Sequence, residues 1–540
     1  GSGHFCTTGP PFFRLSPALR LADTVGLRRS YLAFNAALGS LYENDLLQLA
    51  DATDKPGFDD TAFFDAAGMV YNAGGFDASQ LNTPEARRLI DETLKQLQTA
   101  IASGVPHEVP EVVRYALENN AFIFSGFKAY HTLREVGLSL LTDKGDIKPF
   151  ETFRRDVETV NNRYNHNYLY AEYNHAVGAS LMASRWQQIE KDGDRYDLQY
   201  RTAQDDRVRE DHAILHGTTL PPSDPFWSLY LPPNGWNCRC TAVQVRKGKY
   251  PLSDPDLSML RGNNCTEAAK QQIFRFNPGK ELKLFPPKHP YYKAPEAAKQ
   301  VIEQLSEEQQ REKRIAEIIA ELSDTLTDAE KKPVAEHCLE LEKALGITKG
   351  KPMSVDDADK QHANPNYGKE RGYGINCQTC SPAYALRLMG FNVTAKSNTP
   401  GTKLDYLSRG NQLWEQWQNL DGTPAKHTSI NDWMAGKKYQ RMTPKRYVEF
   451  FNEICKDPGV YMLSIGWKGG GGHATILQRF ADGTLRYIEP QHDNSKGSGR
   501  ESHDLDWLGK NGAATMHGCR GIMRVDNKLF NVAFAEIFDK

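Results

Sequence analysis

The chain has 540 residues, with 66 basic and 68 acidic side chains and a formal net charge of −2. This length exceeds what one hydrophobic core normally serves, so we expect several domains. The balanced charge gives no broad basic surface for phosphate contacts, which argues against a nuclease or a DNA-packing protein. The nine cysteines do not form the disulfide framework of a small secreted domain, so we expect mostly reduced thiols in a bacterial-type cytosol.

Neither a signal peptide nor a transmembrane helix is predicted. The start, Gly1 to His4, looks like an expression remnant and not a signal peptide. No run of about 18 apolar residues occurs, which is the length that a membrane-spanning helix needs.

Residues 1–119 are predicted to form a helical N-terminal region. Pro84 to Leu97 place apolar side chains at helical spacing behind a proline, which suits a first turn. Residues 121–192 also look mainly helical, and their regularly spaced phenylalanines are more typical of a core than of a site. No residue of these stretches is assigned a chemical role.

From Leu198 the pattern changes to a strand followed by histidines and closely spaced cysteines. His212 and His216 share one helix face, and Cys238 and Cys240 could complete four zinc ligands. Spacing alone is weak support for a metal. We therefore favour a structural core with hydrogen-bonded histidines and buried thiols, and we assign no metal ligand.

The same stretch resembles the phage Mu F-like minor head protein family. The resemblance covers about residues 120–250 and rests on Arg201-Thr202-Ala203, on the His-x-x-x-x-Gly motif at 212–217 and on Pro232 to Cys240. It implies an α+β head domain, placed here at 120–292, in a virion component near the portal. The portal or other head proteins would be its partners, in the virion or, for a prophage-encoded copy, in the bacterial cytoplasm.

Residues 293–350 are predicted to be a helical connector. The stretch from Pro295 to Leu345 is rich in Glu, Lys, Gln, Ala and Leu at helical spacing, and its charges are most simply solvated helix faces. Pro333 would start or kink a second helix. The Gly, Lys and Pro residues at 349–352 mark a boundary, so we expect the chain to divide near residues 345–355.

Two cysteines, Cys377 and Cys380, stand where a loop passes into a helical pattern. The N–H groups and dipole of a helix N-terminus favour a thiolate over a thiol, which is how a cysteine nucleophile is made. Pro382 is tolerated only within a first turn, so the helix is expected to begin near Cys380, and this favours Cys380 as the nucleophile. A Cys-x-x-Cys metal half-site or redox pair is the alternative, but no second pair of ligands at suitable spacing follows.

A histidine and an acid or amide follow these cysteines in order. After a buried strand and the glycine run 469–472, His473 opens a second strand. A turn at 481–484 would join it to a third strand, so that Glu489 or Gln491 lies beside His473. A cysteine, a histidine and an orienting acid or amide form the arrangement that activates a thiol. His473 could instead be a hydrogen-bonded core side chain, and Glu489 an ordinary edge carboxylate. Three other histidines lie in polar surroundings and are expected at the surface: His492, His503 and His517.

This region resembles the papain-fold toxin family of glutamine deamidases. The resemblance covers about residues 355–530 and rests on Asn376-Cys377-x-x-Cys380, the helix end at Gly390, the Gly472-His473 pair and the strand end Glu489-Pro490-Gln491. The family usually has Asp where this chain has Glu489. The resemblance implies a papain-like α+β domain, placed here at 351–540, that hydrolyses the side-chain amide of glutamine. Its Asn-Cys dipeptide implies Cys377 as the nucleophile.

The sequence therefore predicts a multidomain α+β phage head protein that carries a toxin domain. The nucleophile would be Cys377 or Cys380, with His473 as general acid and base and Glu489 or Gln491 orienting it, and no cofactor is expected. The expected partners are a host protein substrate, phage head proteins and an immunity protein, with no membrane and no sequence-specific nucleic acid. The alternatives are a cysteine peptidase toxin and a purely structural head protein.

Overall fold

The structure is a computed structural model of the chain, and it describes residues 29–42, 57–105, 109–360, 363–409, 412–467, 471–492 and 516–540. The chain divides into two compact units, Gly1–Gln310 and Arg311–Lys540, which we call the first and the second unit. Both contain helices and sheet strands, so the predicted α+β class is confirmed. None of the described helices combines the length and the apolar composition needed to cross a bilayer.

The first unit is mainly helical. Its helices are α1 (29–42), α2 (Asp60–Ala73), α3 (Pro84–Gly104), α4 (Glu111–Leu138), α5 (Phe150–Asn161), α6 (Leu169–Asp192), α7 (Glu210–Ala213), α8 (Phe226–Tyr230), α9 (Pro255–Cys265) and α10 (Pro278–Glu281). The predicted helix at Pro84 is confirmed. Thr83 caps it by accepting a hydrogen bond from the Ala86 N–H at 3.3 Å, and the proline occupies the first turn, where its missing N–H costs nothing.

A small antiparallel sheet completes the first unit. Its strands are β1 (Tyr196–Arg201), β2 (Thr219–Leu220) and β3 (Thr241–Arg246), in the order β2-β1-β3. Leu198 and Tyr200 of β1 pack with Trp186 and Trp227 in a buried aromatic core. Along the chain, α7 with His212 lies between β1 and β2, and Cys238 and Cys240 directly precede β3.

The helix α11 (Glu296–Glu321) contains the boundary between the two units. The remaining helices are α12 (Asp328–Leu345), α13 (Val355–Lys360), α14 (Cys377–Leu388), α15 (Lys403–Leu407), α16 (Ile430–Gly436) and α17 (Pro444–Ile454). The strands are β4 (Thr394–Ala395), β5 (Trp417–Gln418), β6 (Gly459–Trp467), β7 (Gly472–Arg479), β8 (Leu485–Ile488), β9 (Met516–Arg524), β10 (Leu529–Phe530) and β11 (Phe538–Asp539).

An antiparallel sheet in the order β8-β7-β6-β9 forms the centre of the second unit. Its register places His473 opposite Ile465 and Gly472 opposite Gly466. The predicted hairpin of β7 and β8 is confirmed, and its turn has Gly483 at φ 86°, a left-handed conformation that suits glycine. Because β8 ends at Ile488, the carboxylate and amide expected on this strand follow its end.

Residues 311–350, which the sequence assigns to a connector, lie within the second unit. They are helical as predicted, and Pro333 lies inside α12. Val334, Leu341 and Leu345 are buried in the main core of this unit. His337 also contacts the Phe530 carbonyl oxygen through Nε2 at 2.7 Å. Most of the predicted connector is therefore part of a folded body.

Candidate active site

The helix α14 begins at Cys377, three residues before the predicted start. Pro382 therefore lies inside the helix, in its second turn, and cannot donate to the carbonyl oxygen of Gln378 four residues earlier. The side-chain Nε2 of Gln416 donates to that oxygen instead, at 3.1 Å. The prediction that the helix begins near Cys380 was wrong because a distant amide satisfies the carbonyl that the proline leaves without a partner.

This helix start distinguishes the two candidate cysteines. Cys377 is the first helical residue and is half-buried, with its side chain on a cavity. Cys380 is completely buried, and its thiol donates to Oδ1 of Asn376 at 3.3 Å. The dipole argument that favoured Cys380 from the sequence now applies to Cys377.

The cavity has a volume of about 540 Å³. Four of the five predicted site residues line it: Cys377, His473, Glu489 and Gln491. The structure thus brings together side chains from the start of α14, the start of β7 and the chain that follows β8. Other lining residues include Gly374, Gln378, Leu407, Ser464, Tyr487, His492 and Arg520.

His473 lies between the carboxylate and the cysteine. Its Nε2 is 2.6 Å from Oε2 of Glu489, and both side chains are almost fully buried. The sulfur of Cys377 interacts with the same imidazole. Burial lowers the pKa of His473, but Glu489 and Cys377 outweigh it and raise this pKa to about 10. The ring is therefore held in its protonated form beside the sulfur at neutral pH.

Hydrogen bonds hold both carboxylate oxygens of Glu489 in place. Oε2 accepts a hydrogen bond from the Tyr487 hydroxyl at 3.1 Å, and Oε1 accepts one from the backbone N–H of Gln491 at 3.0 Å. Burial raises the pKa of Glu489, but the charges of His473 and His492 and these hydrogen bonds hold it below its usual range. Glu489 is thus an ionised partner for the imidazole, although the resembling family usually has Asp there.

The side chain of Gln491 contacts Asn376, whereas the sequence analysis considered it as a residue that orients His473. Its side-chain Nε2 donates to Oδ1 of Asn376 at 3.3 Å, the oxygen that also accepts from Cys380. Asn376 is fully buried, and its Nδ2 donates to the Lys396 carbonyl oxygen at 2.9 Å. Gln491 and Asn376 therefore tie the start of α14 to the segment that carries Glu489.

Three residues of the site had no assigned role in the sequence analysis. Tyr487 holds Glu489, Arg520 lines the cavity, and His492 lies with its ring centroid 6.1 Å from that of His473. His492, which the sequence analysis expects at the surface, is half-buried and lines the cavity. His503 and the side chain of His517 lie outside the described residues.

Side chains grouped closely enough to hold a metal occur, among the described residues, in the first unit. One group is His212, Cys238 and Cys240, and the other is Asp211, His212 and Cys265. Neither group includes Cys377 or Cys380.

Comparison with known proteins identifies part of the first unit. Residues 148–243 match the family model described as "Phage Mu protein F like protein". The "Putative capsid assembly protein F" of Escherichia phage Mu is 41% identical over 69 residues, which is 13% of this chain and 16% of that protein. The "Mu-like prophage FluMu F protein" of Haemophilus influenzae is 36% identical over 80 residues, which is 14% of this chain and 19% of that protein. No solved structure matches the chain.

These matches agree with the predicted head domain over part of its length. The chain spans less than a fifth of each of the two relatives, with 16% and 19% of their lengths covered. The family-model match ends before the second unit begins. Residues 148–243 of this chain are therefore a phage Mu F-like segment.

Proposed function

We propose that the chain is a phage head protein whose second unit is a cysteine hydrolase acting on glutamine side chains of a host protein. One observation carries the hydrolase: the His473 imidazole lies between the Glu489 carboxylate and the Cys377 sulfur, at a cavity. A carboxylate that orients a histidine beside a cysteine is the arrangement that generates a thiolate nucleophile. The resemblance to papain-fold deamidases supports glutamine as the substrate.

In the proposed reaction, the Cys377 thiolate attacks the carboxamide carbon of glutamine. The N–H groups of Thr379 and Cys380 already donate to the Asn376 carbonyl oxygen. In the proposed reaction, the backbone N–H of Cys377 at the start of α14 therefore stabilises the negative oxygen that forms. The His473 imidazolium donates its proton to the leaving nitrogen, so ammonia departs and a thioester remains. The neutral imidazole then takes a proton from water, whose oxygen attacks the thioester. Glutamate is released and the thiolate is restored.

Glu489 has a positioning role in this scheme. It binds Nε2 and so orients the imidazole beside the sulfur, and its charge stabilises the imidazolium. Cys380 would not react, because its sulfur is buried against Asn376. No cofactor takes part in these steps.

The test uses the full-length chain and a lysate of host cells in water enriched in oxygen-18. Deamidation releases ammonia and replaces the amide nitrogen with a labelled oxygen, which raises the target mass by about three daltons. Cys377→Ser should abolish the label, whereas Cys455→Ser, a matched buried thiol in the same unit, should retain it. New protein N-termini without ammonia would instead establish the cysteine peptidase, which uses the same three side chains.

The head-protein half of the proposal rests on the Mu F-like segment and on its similarity to the putative capsid assembly protein of phage Mu. Phage head proteins are its proposed partners, and an immunity protein that protects the producing cell is a further one. Mass spectrometry of purified virions should detect peptides from both units. Their absence from the particles would contradict this half and leave the hydrolase test unaffected.

A further inference from the structure

A cluster of sulfur and nitrogen atoms in the first unit has no part in the proposed hydrolase. His212 lies in α7, and Cys238 and Cys240 lie in the turn before β3, where Asn237 adopts a left-handed conformation with φ 54°. The ligand atoms of His212, Cys238 and Cys240 lie within 4.8 Å of one another. His212 and Cys240 are buried, and Cys238 is half-buried. The two sulfurs are each 3.6 Å from Nδ1 of His212.

These two equal distances fit a tetrahedral metal better than a pair of hydrogen bonds. An imidazole nitrogen carries either one proton or one lone pair, so it cannot form two equally good hydrogen bonds to two sulfurs. Zinc bonds of about 2.3 Å to sulfur and about 2.0–2.1 Å to nitrogen, at a tetrahedral angle, separate nitrogen from sulfur by about 3.6 Å. Both observed separations equal this value.

A third sulfur, that of Cys265, lies in a second group that shares His212 with the first. Cys265, the last residue of α9, is completely buried and contacts the His212 ring. Asp211 is grouped with Cys265 and His212 within 4.8 Å, and its Oδ1 is buried without a hydrogen-bond partner among the described residues. A buried carboxylate oxygen is costly unless a hydrogen bond or a cation offsets its desolvation, so this atom points to a positive charge nearby.

The immediate surroundings leave room for one ion. A cavity of about 20 Å³ is lined by His212, Cys238 and Cys240, which is the size of a single small species. Arg209 also lines this cavity, so its positive charge would balance a divalent ion bound by three thiolates. Arg239 also lines the cavity, and it forms two hydrogen bonds of 2.5 Å to Asp205.

We propose that His212, Cys238, Cys240 and Cys265 bind one structural zinc ion. Three thiolates and one imidazole in a closed, buried site are the ligands of a structural zinc centre. The ion would tie together α7, the turn before β3 and the end of α9. His216, which the sequence placed in the same ligand set, has no part, because its Nδ1 accepts a hydrogen bond from the Thr202 N–H at 3.1 Å.

The experiment begins with the unaltered full-length chain. It is expressed with added zinc, dialysed with a thiol reductant and analysed by plasma mass spectrometry, and one zinc per chain is expected. Exchange with Co²⁺ should give the intense visible bands of a tetrahedral site together with thiolate-to-cobalt charge transfer. A chain without zinc, weak octahedral cobalt bands, or a Cys238–Cys240 disulfide in the isolated protein would each overturn the proposal.

Variants assign the ligands. His212→Ala and Cys240→Ser should lose the tetrahedral cobalt spectrum, while His216→Ala and the second-unit control Cys455→Ser should keep it. Cys265→Ser should lower the metal affinity by at least tenfold, because a neutral hydroxyl replaces a thiolate ligand. An unchanged affinity in Cys265→Ser would remove it from the ligand set. If His212→Ala and His216→Ala lose the tetrahedral cobalt spectrum to the same extent, the ligand assignment is contradicted. If a variant does not fold, the metal content and cobalt spectrum of the unaltered chain still decide the proposal.

Discussion

The hydroxyl of Tyr487 and Nε2 of His473 share one acceptor, Oε2 of Glu489, at 3.1 Å and 2.6 Å. The tyrosine stands two residues before the carboxylate, at the end of β8, so the strand itself delivers this second donor. The hydroxyl therefore fixes the carboxylate that fixes the imidazole. It acts on the proposed reaction only through Glu489.

Tyr487→Phe should lower the deamidation rate modestly, by about three- to tenfold. The lost hydrogen bond is worth on the order of 1 kcal/mol, and Glu489 keeps its bond to the Gln491 N–H. His473→Ala should cost at least about a hundredfold, because it removes the general acid and base. Initial rates of ammonia release measure both effects. Tyr439→Phe is the matched control, since Tyr439 donates to Glu449 at 3.1 Å outside the cavity, and it should leave the rate unchanged.

Iodoacetamide should alkylate Cys377 in the native chain and leave Cys380 unmodified. Cys377 lies on the cavity at the helix start, whereas Cys380 is completely buried. Peptide-resolved mass spectrometry at short reaction times distinguishes the two thiols. Cys380→Ser should keep the fast reaction at Cys377, because a hydroxyl can still donate to Asn376. Faster labelling of Cys380 would reverse the assignment of the nucleophile.

The His473–Glu489 pair should make stability depend on pH in both directions. The pKa of His473 is raised from 6.5 to about 10, so its contribution is fully present below about pH 6.5 and is lost as the pH rises through about 10. The pKa of Glu489 is lowered from 4.5, so its contribution is present above that value and is lost as the pH falls through its lower native pKa.

Glu489→Gln should therefore destabilise the chain most near neutral pH, by on the order of 1.5–3 kcal/mol for a hydrogen bond between charged groups. Urea unfolding at pH values across this range gives the difference in free energy of unfolding between the variant and the parent. A difference that stays constant from pH 5 to beyond pH 10 would show that the pair is not ionised as described.

A fragment of residues 311–540 should fold alone, whereas residues 351–540 should not. The shorter fragment lacks α12, whose Val334, Leu341 and Leu345 are buried in the core of the second unit. Each such side chain contributes about 1.5–3 kcal/mol, and together they approach the total stability of a typical domain. Circular dichroism and cooperative unfolding of both fragments check this. A well-folded 351–540 fragment would restore the boundary predicted near 345–355.

Gln416→Ala should destabilise the second unit by about 1–3 kcal/mol, because the Gln378 carbonyl oxygen then stays buried without a partner. Pro382→Ala restores the N–H that normally bonds this oxygen in a helix. The double variant should therefore lose less stability than Gln416→Ala alone. Additive effects in the double-mutant cycle would show that the two groups do not serve the same carbonyl.

Turn residues and strand alternation predicted those features of the site that are formed by residues close together in the sequence. The turn at 481–484 and the alternation of the flanking strands predicted the β7–β8 hairpin and placed Glu489 near His473. The helix start was missed because the compensating amide, Gln416, lies 38 residues along the chain from Gln378. Cys265 was missed for the same reason: only the packing of α9 brings it to His212, and its spacing from Cys240 carries no signal.

His473 pairs with Ile465 in the sheet, so the proposed activity also depends on correct assembly of the sheet. Side chains alternate between the faces of a strand, so a slip of β7 by one residue would turn the imidazole to the opposite face and leave Ala474 toward the thiol. A chain trapped in that register would keep its hydrogen-bonded ladder but could not form the pair with Glu489. Misassembled copies would thus lack the proposed activity, and the proposed reaction would begin only when the sheet is correctly built.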